Sequence, residues 1–182
     1  LHHLDRFQEA ETSCRQAITL DPELADAHNN LGIVLSQLNR LEEAEICFKQ
    51  AIDLHHDFYE AYNNLSLSLL ETGKLEEAEE VCLRAITLNS HYADAYNSLG
   101  LILKELHRFE DSESSFNKAI TLKPRSEEFY NNLAGTLTEV GKIEGAEAAY
   151  ITALALNPRS AVPYLNLCDF YEKLNRIEDA LP

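Results

Sequence analysis

Basic residues are scarce in this chain of 182 residues. The sequence has 15 lysines and arginines against 31 aspartates and glutamates, and its formal net charge at pH 7 is −16. Nucleic-acid binding normally requires lysine and arginine, because these residues neutralise phosphates and displace counterions. The charge balance therefore disfavours DNA and RNA as partners.

Long hydrophobic runs are also absent, although 45% of the residues are hydrophobic. No stretch approaches the ~18 uncharged apolar residues of a membrane span, and no charged-then-apolar leader opens the chain. The hydrophobic content is sufficient for an ordered core. We therefore expect a folded, soluble protein with no membrane partner.

Paired cysteines of the CxxC type are missing. The four cysteines, Cys14, Cys47, Cys82 and Cys168, stand among alanines and other apolar residues. Free cysteine behaves as a small hydrophobic residue that is often buried, and reduced thiols suit a reducing compartment. We expect packed, reduced thiols and a cytoplasmic protein.

Catalytic and metal-binding patterns are lacking as well. No nucleophile, base and acid set, phosphate loop or dinucleotide fingerprint occurs. His55, His56 and His91 fall in loops that would supply zinc ligands only by accident. We expect no enzymatic activity, no cofactor and no metal site. Methionine is absent even from position 1, and we therefore expect the chain to be part of a longer protein.

What the sequence does contain is a period of 34 residues. The segment AHNNLG at residues 27–32 returns as AYNNLS at 61–66, AYNSLG at 95–100, FYNNLA at 129–134 and PYLNLC at 163–168. A second segment, LEEA at residues 41–44, returns as LEEA at 75–78, FEDS at 109–112, IEGA at 143–146 and IEDA at 177–180, and FQEA at 7–10 is an earlier copy. A fixed period of this length is typical of stacked helix-turn-helix units.

These repeats resemble the tetratricopeptide repeat (TPR) family. With Ala25 as position 1, the family pattern has small residues at positions 8, 20 and 27, a bulky residue at 24 and proline at 32. The first full repeat matches with Gly32, Ala44, Phe48 and Ala51. The departures are His56 and Ser90 in place of proline, and Ser112 in place of the alanine at position 20.

The resemblance implies an all-α, right-handed solenoid (superhelix) of TPR helix-turn-helix repeats over residues 1–182. Full repeats then cover residues 25–58, 59–92, 93–126 and 127–160, with partial repeats at 1–24 (a second helix) and 161–182. Glycine and asparagine tolerate the left-handed conformation that ends a helix, and the residues expected between the two helices of a repeat are Asn39, Gly73, His107, Gly141 and Asn175. The residues expected to end second helices are Pro22, Pro124 and Pro158, while Pro163 falls in a first turn.

In the TPR family the first helices line a concave groove, and repeat positions 2, 5, 6, 9, 12 and 13 face into it. Carried over to this chain, positions 5 and 6 form a column of mostly amide side chains: Asn29, Asn30, Asn63, Asn64, Asn97, Ser98, Asn131, Asn132 and Asn166. The acids of position 2 are Asp26, Glu60, Asp94 and Glu128, and the apolar residues of position 9 are Ile33, Leu67 and Leu101. The column resembles the asparagine ladder of O-linked N-acetylglucosamine transferases, which grips extended polypeptide.

Two interpretations of this column are open. An amide offers both a donor and an acceptor and can pair with any peptide backbone, each bond contributing ~0.5–1.5 kcal/mol net. Alternatively, the asparagines at position 6 tie one repeat to the next through backbone bonds. The acids near the ends of first helices, Glu71, Glu105 and Glu139, also allow two interpretations. They face the groove, or they pair with bases three residues later, which are Lys74, Arg108 and Lys142.

We interpret the chain as a protein-interaction scaffold that binds an extended peptide or a partner protein in the groove. Acids in the groove favour basic or neutral segments. Uncapped terminal repeats favour end-to-end self-association. Two alternatives are that the chain is the substrate-recognition arm of a larger enzyme such as a glycosyltransferase, or a structural or self-assembling spacer.

Overall fold

The computed structural model describes residues 2–174, and within that range it contains ten α-helices and no strand. The helices are α1 (His2–Leu20), α2 (Ala25–Gln37), α3 (Leu41–Leu54), α4 (Tyr59–Glu71), α5 (Leu75–Leu88), α6 (Ala93–Glu105), α7 (Phe109–Leu122), α8 (Glu127–Glu139), α9 (Ile143–Leu156) and α10 (Ala161–Lys173). Asn175 and the last second-helix segment predicted at 177–180 lie outside the described residues. The chain divides into two compact units between His91 and Tyr92. Helices α1 to α5 form the N-terminal unit, and α6 to α10 form the C-terminal unit.

Each unit is built from helices that pack against their neighbours in sequence. In the N-terminal unit α1 contacts α2, α2 contacts α3, α3 contacts α4, and α4 contacts α5. The C-terminal unit repeats this order from α6 to α10. The first helices of adjacent repeats also touch, because α2 contacts α4, α6 contacts α8, and α8 contacts α10. We call the surface that these first helices form in each unit its first-helix face.

The turn inside each hairpin has the backbone that the sequence predicts. Positive φ angles occur at Asn39 (58°), Gly73 (76°), His107 (57°) and Gly141 (71°). Two hydrogen bonds close each turn around this residue; after α2, for example, Asn39 N–H donates to the Ser36 carbonyl and Arg40 N–H donates to the Leu35 carbonyl. This pair of bonds satisfies carbonyl groups that the end of the helix leaves open. The prediction for these four turns is confirmed.

Prolines end second helices where they occur. Helices α1, α7 and α9 each end two residues before a proline, which lacks the amide hydrogen and carries a ring that the next turn cannot accommodate. Helices α3 and α5 end at the same repeat position without one. Pro163 lies in the first turn of α10, where the missing donor costs nothing.

Small residues allow the two helices of a hairpin to approach closely. Ala44 and Ala51 are fully buried, and Phe48 is 1% exposed. A Cβ atom added to Gly32 would lie 2.5 Å from Cε1 of Phe48. The glycine is therefore required by the phenyl ring that packs on its backbone, and Gly100 has the same relation to Phe116.

Departures from the repeat pattern are accommodated in the core. Ser112, which replaces an alanine, is fully buried, and its hydroxyl donates to the Gly100 carbonyl at 2.7 Å. The added hydroxyl is therefore satisfied.

All four cysteines are free, and they differ in burial. Cys47 and Cys82 are buried, Cys14 is half-buried, and Cys168 is exposed. The prediction that all four thiols are packed is wrong for Cys168. At repeat position 8, Gly32 and Gly100 pack against Phe48 and Phe116 of the second helix of their own repeat. In this last repeat the residues that follow the first helix lie outside the described part of the chain.

Candidate functional site

The predicted amide column lies on the first helices. Its members differ widely in how much of the side chain reaches solvent. Asn29, Asn63, Asn97 and Ser98 are buried, Asn64, Asn131, Asn132 and Asn166 are half-buried, and Asn30 is exposed.

Three pairs of asparagines join consecutive repeats within the units. In each pair the position-6 amide donates from Nδ2 to Oδ1 of the position-5 amide in the preceding repeat. The pairs are Asn64 to Asn29 at 3.0 Å, Asn132 to Asn97 at 3.0 Å, and Asn166 to Asn131 at 2.9 Å. Neighbouring repeats are therefore tied by amide side chains, and each such bond uses one polar atom of each asparagine.

The column is not uniform, because Ser98 stands where other repeats have asparagine. Its hydroxyl donates to the Asp94 carbonyl of its own helix at 3.0 Å. The Oδ1 atom of Asn63 is buried and has no hydrogen-bond partner among the described residues. Asn97 also donates from Nδ2 to Glu128 Oε1 at 3.1 Å, so both ends of this amide are used by the fold.

The predicted acids and apolar residues occupy more open positions. Among the acids, Asp26 and Glu128 are exposed, and Glu60 and Asp94 are half-buried. Asp94 accepts an ion pair from Lys123 at 3.2 Å. Ile33 is 40% exposed, and Leu67 and Leu101 are half-buried. Within residues 2–174, Asp26 and the three aliphatic side chains therefore make no polar contact that would compete with a ligand.

A cavity of about 140 Å³ opens on the first-helix face of the N-terminal unit. It is lined by side chains from two consecutive repeats: Ile33, Ser36, Gln37, Phe48, Asn64, Leu67, Ser68 and Glu71. These residues occupy repeat positions 9, 12, 13 and 24 of one repeat and 6, 9, 10 and 13 of the next.

The C-terminal unit carries a cavity of about 240 Å³ at the same repeat positions. The residues that occupy these eight positions in the C-terminal cavity are Gly135, Thr138, Glu139, Tyr150, Asn166, Asp169, Phe170 and Lys173. Leu101, Lys104, Asn131 and Asn132 extend the lining. Because the repeat pattern places the same positions around both cavities, they are equivalent features of the two units.

Position 9 makes the two cavities chemically different. Ile33 and Leu67 give the N-terminal cavity an apolar lining, whereas Gly135 and Asp169 stand at the same positions in the C-terminal cavity. A Cβ atom on Gly135 would meet only Lys104 Nζ at 3.7 Å and the Tyr150 hydroxyl at 4.0 Å. Burial raises the pKa of the Tyr150 phenol, against a smaller opposite effect of its hydrogen bond with Thr138. The phenol is therefore protonated at physiological pH, and its proton is used by Thr138, because the Thr138 hydroxyl itself donates to the Ala134 carbonyl.

At two of the three positions, the acid at the end of the first helix does not pair with the base that follows it. Lys74 instead contacts Glu45 of the preceding repeat at 2.8 Å, and Lys142 contacts Glu113 at 2.6 Å. The predicted pairing with Glu71 and Glu139 is wrong at these two positions. The lysine pairs with the carboxylate on the second helix of the preceding repeat because that carboxylate lies within direct reach. Glu71 and Glu139 remain in the linings of the cavities.

None of the position-2 acids and none of the buried asparagines lines either cavity. Of the predicted site residues, the cavities include Ile33, Asn64, Leu67, Leu101, Asn131, Asn132 and Asn166. Sequence reasoning missed Lys104, Gly135, Tyr150 and Asp169. The available signal was the change at position 9 from leucine to glycine and then to aspartate. Within residues 2–174, no three histidine, cysteine, aspartate or glutamate side chains come together in a group that would hold a metal ion, and no helix is long and apolar enough to cross a bilayer.

Four family models described as tetratricopeptide repeats match the sequence. They cover residues 25–58, residues 47–80, residues 1–24 with 93–126, and residues 128–157. The chain belongs to the tetratricopeptide repeat family. TPR proteins are in general non-catalytic scaffolds that bind peptides or proteins, and this chain has the fold of such a scaffold. A search of curated proteins finds no match.

Solved TPR structures superpose on most of the chain. PilF of Pseudomonas aeruginosa is 21% identical with a TM-score of 0.79, covering 97% of this chain and 80% of its own. TTC0263 of Thermus thermophilus is 23% identical with a TM-score of 0.83, covering 94% of each chain. YrrB is 22% identical with a TM-score of 0.67, covering 94% of this chain and 89% of its own. These similarities confirm the predicted all-α solenoid of TPR repeats.

Proposed function

We infer that this TPR chain binds extended segments of partner proteins in the cavities of its first-helix faces. The observation that carries this proposal is the recurrence of a cavity at the same repeat positions in both units. Equivalent cavities at a regular repeat suit a chain with a regular backbone, whose side chains enter pockets while its main chain runs along the surface. A further support is YrrB, which is described as a TPR protein with an unusual peptide-binding site.

The amides contribute to this proposal in a limited way. Each asparagine that ties two repeats has one polar amide atom that this bond leaves free, and Asn64, Asn131, Asn132 and Asn166 line the cavities. A peptide backbone offers matching donors and acceptors. The asparagines thus fix the spacing of the first helices and present half of each amide to a ligand.

Selection of peptides tests the proposal directly. Random peptides of about twelve residues are selected against the immobilised chain, and their dissociation constants are measured by fluorescence anisotropy. The cavity variants are Ile33→Asp and Asp169→Lys, which change side chains outside the core. Their matched controls are Ile46→Asp, which is 58% exposed on α3, and Glu172→Lys, exposed on α10.

We expect each selected peptide to lose roughly tenfold in affinity, about 1.4 kcal/mol, with one of the two cavity variants and to keep its affinity with both controls. Melting temperatures of all four variants should match that of the unchanged chain. Peptides that bind but do not respond to either cavity variant would contradict the proposal. The preference for basic or neutral segments, end-to-end association and a cytoplasmic location remain predictions.

A further inference from the structure

Gly135 forms the floor of the C-terminal cavity, and the other repeats have a side chain at this position. Leucine stands at position 9 in α4 and α6, as Leu67 and Leu101, whereas α8 has Gly135 at this position. The atoms nearest to a Cβ on Gly135 are 3.7 and 4.0 Å away, so a methyl group would fit there without a clash. The larger volume of this cavity, about 240 against 140 Å³, agrees with that vacant position.

Charges around this space balance. The lining contains two lysines, Lys104 and Lys173, and two carboxylates, Glu139 and Asp169. Lys173 and Glu139 approach each other to 4.0 Å. Lys104 and Asp169 make no ion pair or side-chain hydrogen bond within the described part of the chain. The cavity therefore holds one unused cation and one unused anion.

The hydrogen-bonding groups fall into two sets. Lys104 Nζ flanks the floor as a donor, and the Tyr150 hydroxyl oxygen also borders it. The carboxylate of Asp169 is an acceptor. Asn166 and Asn132 each use one Nδ2–H to tie the repeats, and their Oδ1 atoms are further acceptors. A group that accepts at one end and donates at the other complements this arrangement.

We propose that the cavity over Gly135 is a subsite for a neutral amide side chain, glutamine or asparagine, of a bound peptide. The side-chain carbonyl oxygen accepts from Lys104, and the amide NH₂ donates to Asp169. This assignment rests on the proposed function, since the glutamine or asparagine belongs to the bound segment.

Other side-chain classes fit this subsite less well. A glutamate brings a third carboxylate next to Asp169 and Glu139, and a lysine brings a third cation next to Lys104 and Lys173. A leucine fills the space but removes water from Lys104 and Asp169 without replacing their hydrogen bonds. An amide avoids both costs because it is uncharged and polar at both ends.

The test uses small probes and ¹⁵N-labelled protein. The probes are N-acetyl-glutamine methylamide and the glutamate, lysine and leucine compounds of the same form. Ligands of this size bind at best in the millimolar range, so each is titrated to about 50 mM. We expect the glutamine probe to shift the Gly135 and Thr138 backbone amides and to bind roughly threefold or more tightly than each of the others.

Two variants and a control test whether the glutamine probe binds at this subsite. Gly135→Leu fills the subsite with the residue that position 9 has in α4 and α6, and it should abolish the shifts. Lys104→Met keeps the space but removes a donor, and it should weaken glutamine binding by roughly threefold or more. Ala148→Leu adds the same side chain at an exposed site on α9 and should change nothing. The proposal is overturned if another probe binds as tightly, if no shift occurs at Gly135, or if both variants bind like the unchanged chain.

Failure of the subsite and failure of the proposed function give different results. If selected peptides depend on the cavities but the glutamine probe does not act at Gly135, the amide subsite is wrong and peptide binding stands. If the glutamine probe binds at Gly135 but no peptide depends on the cavities, the subsite stands and the proposed function is wrong.

Discussion

Asn132 and Asn97 show how a pair of amide residues serves the packing of two helices. The Oδ1 atom of Asn97 accepts from Asn132, and its Nδ2 atom donates to Glu128. Asn97 is 5% exposed, so water is a poor substitute for either partner. At this residue the amide works as part of the core, because a buried polar group that loses its partner destabilises the fold.

Removal of one such bond should be measurable. Asn132→Ala deletes the donor to Asn97 and leaves a buried oxygen without a partner, and we expect a loss of about 1–3 kcal/mol in the free energy of unfolding. Asn30→Ala is the matched control, since Asn30 occupies the same repeat position and is exposed. Urea denaturation followed by circular dichroism measures both. Equal losses for the two variants would show that the bond does not stabilise the fold.

Two glycines in adjacent repeat positions should respond in opposite directions to the same substitution. Gly32→Ala places a methyl group 2.5 Å from the buried Phe48 ring, and we expect a loss of about 1–3 kcal/mol from overpacking. Gly135→Ala meets nothing closer than 3.7 Å and should raise stability by up to about 1 kcal/mol, because alanine favours a helix more than glycine does. Thermal melting distinguishes the two, and a stabilising Gly32→Ala would contradict the close packing described for this hairpin.

At the scale of helices, charged pairs join three of the hairpin turns to the second helix of the preceding repeat. The base follows the left-handed turn residue, and its acid lies 29 residues earlier in the chain. The pairs are Arg40 with Glu11 at 2.8 Å, Lys74 with Glu45 at 2.8 Å, and Lys142 with Glu113 at 2.6 Å. Together with the asparagine pairs, these contacts connect neighbouring repeats on two different surfaces.

The pair at α1 predicts a specific pH dependence. A hydrogen bond from Arg15 holds the pKa of Glu11 below its usual range, assisted by Arg40 and opposed by burial. A carboxyl group with a lowered folded-state pKa stabilises the fold above its unfolded pKa of about 4.3, and this stabilisation is lost as the pH falls through the folded value. Glu11→Gln should therefore lower the melting temperature at pH 7 by roughly 2–4 °C, or about 1 kcal/mol for a chain of this size.

Below pH ~4 the melting temperatures of Glu11→Gln and the unchanged chain should converge. Glu9→Gln, at an exposed position on the same helix, is the control and should follow the unchanged chain at both pH values. A difference between Glu11→Gln and the unchanged chain that persists undiminished at pH 3 would contradict the role of the ion pair.

At the scale of the whole molecule, the net charge of −16 has a structural origin. Of helices α2 to α10, all but α10 have at least one acid in the first turn. Carboxylates there interact favourably with the positive end of the helix dipole. Much of the acidity is therefore a consequence of the many helix starts in a repeat protein.

This charge predicts no affinity for nucleic acid. Fluorescently labelled duplex DNA and single-stranded RNA should show no change in anisotropy with up to about 100 µM protein at moderate salt, the range in which nonspecific binders with basic surfaces associate. A salt-dependent rise in anisotropy would contradict the prediction. The same instrument measures the selected peptides, so a negative result with nucleic acid has a positive reference.

The sequence alone determined the helices, their turns and the family. These features are local or periodic, since Gly73, Asn39 and Pro158 act through the backbone of their own turn. The small residues that recur every 34 positions identify the helix interfaces directly. The resemblance to the TPR family also indicated which positions of the first helices belong to a common surface, and Ile33, Asn64 and Leu67 do line a cavity together.

Tertiary structure decided which side chains meet. Asn64 bonds to Asn29 and not to a backbone group, Lys74 selects Glu45 over Glu71, and Lys104 reaches the space above Gly135. Each choice depends on distances between atoms of different helices, often about thirty residues apart in the chain, and on the rotamers that packing allows. A repeat pattern specifies equivalent positions, but only the packed helices determine which of two suitable partners lies within hydrogen-bonding distance.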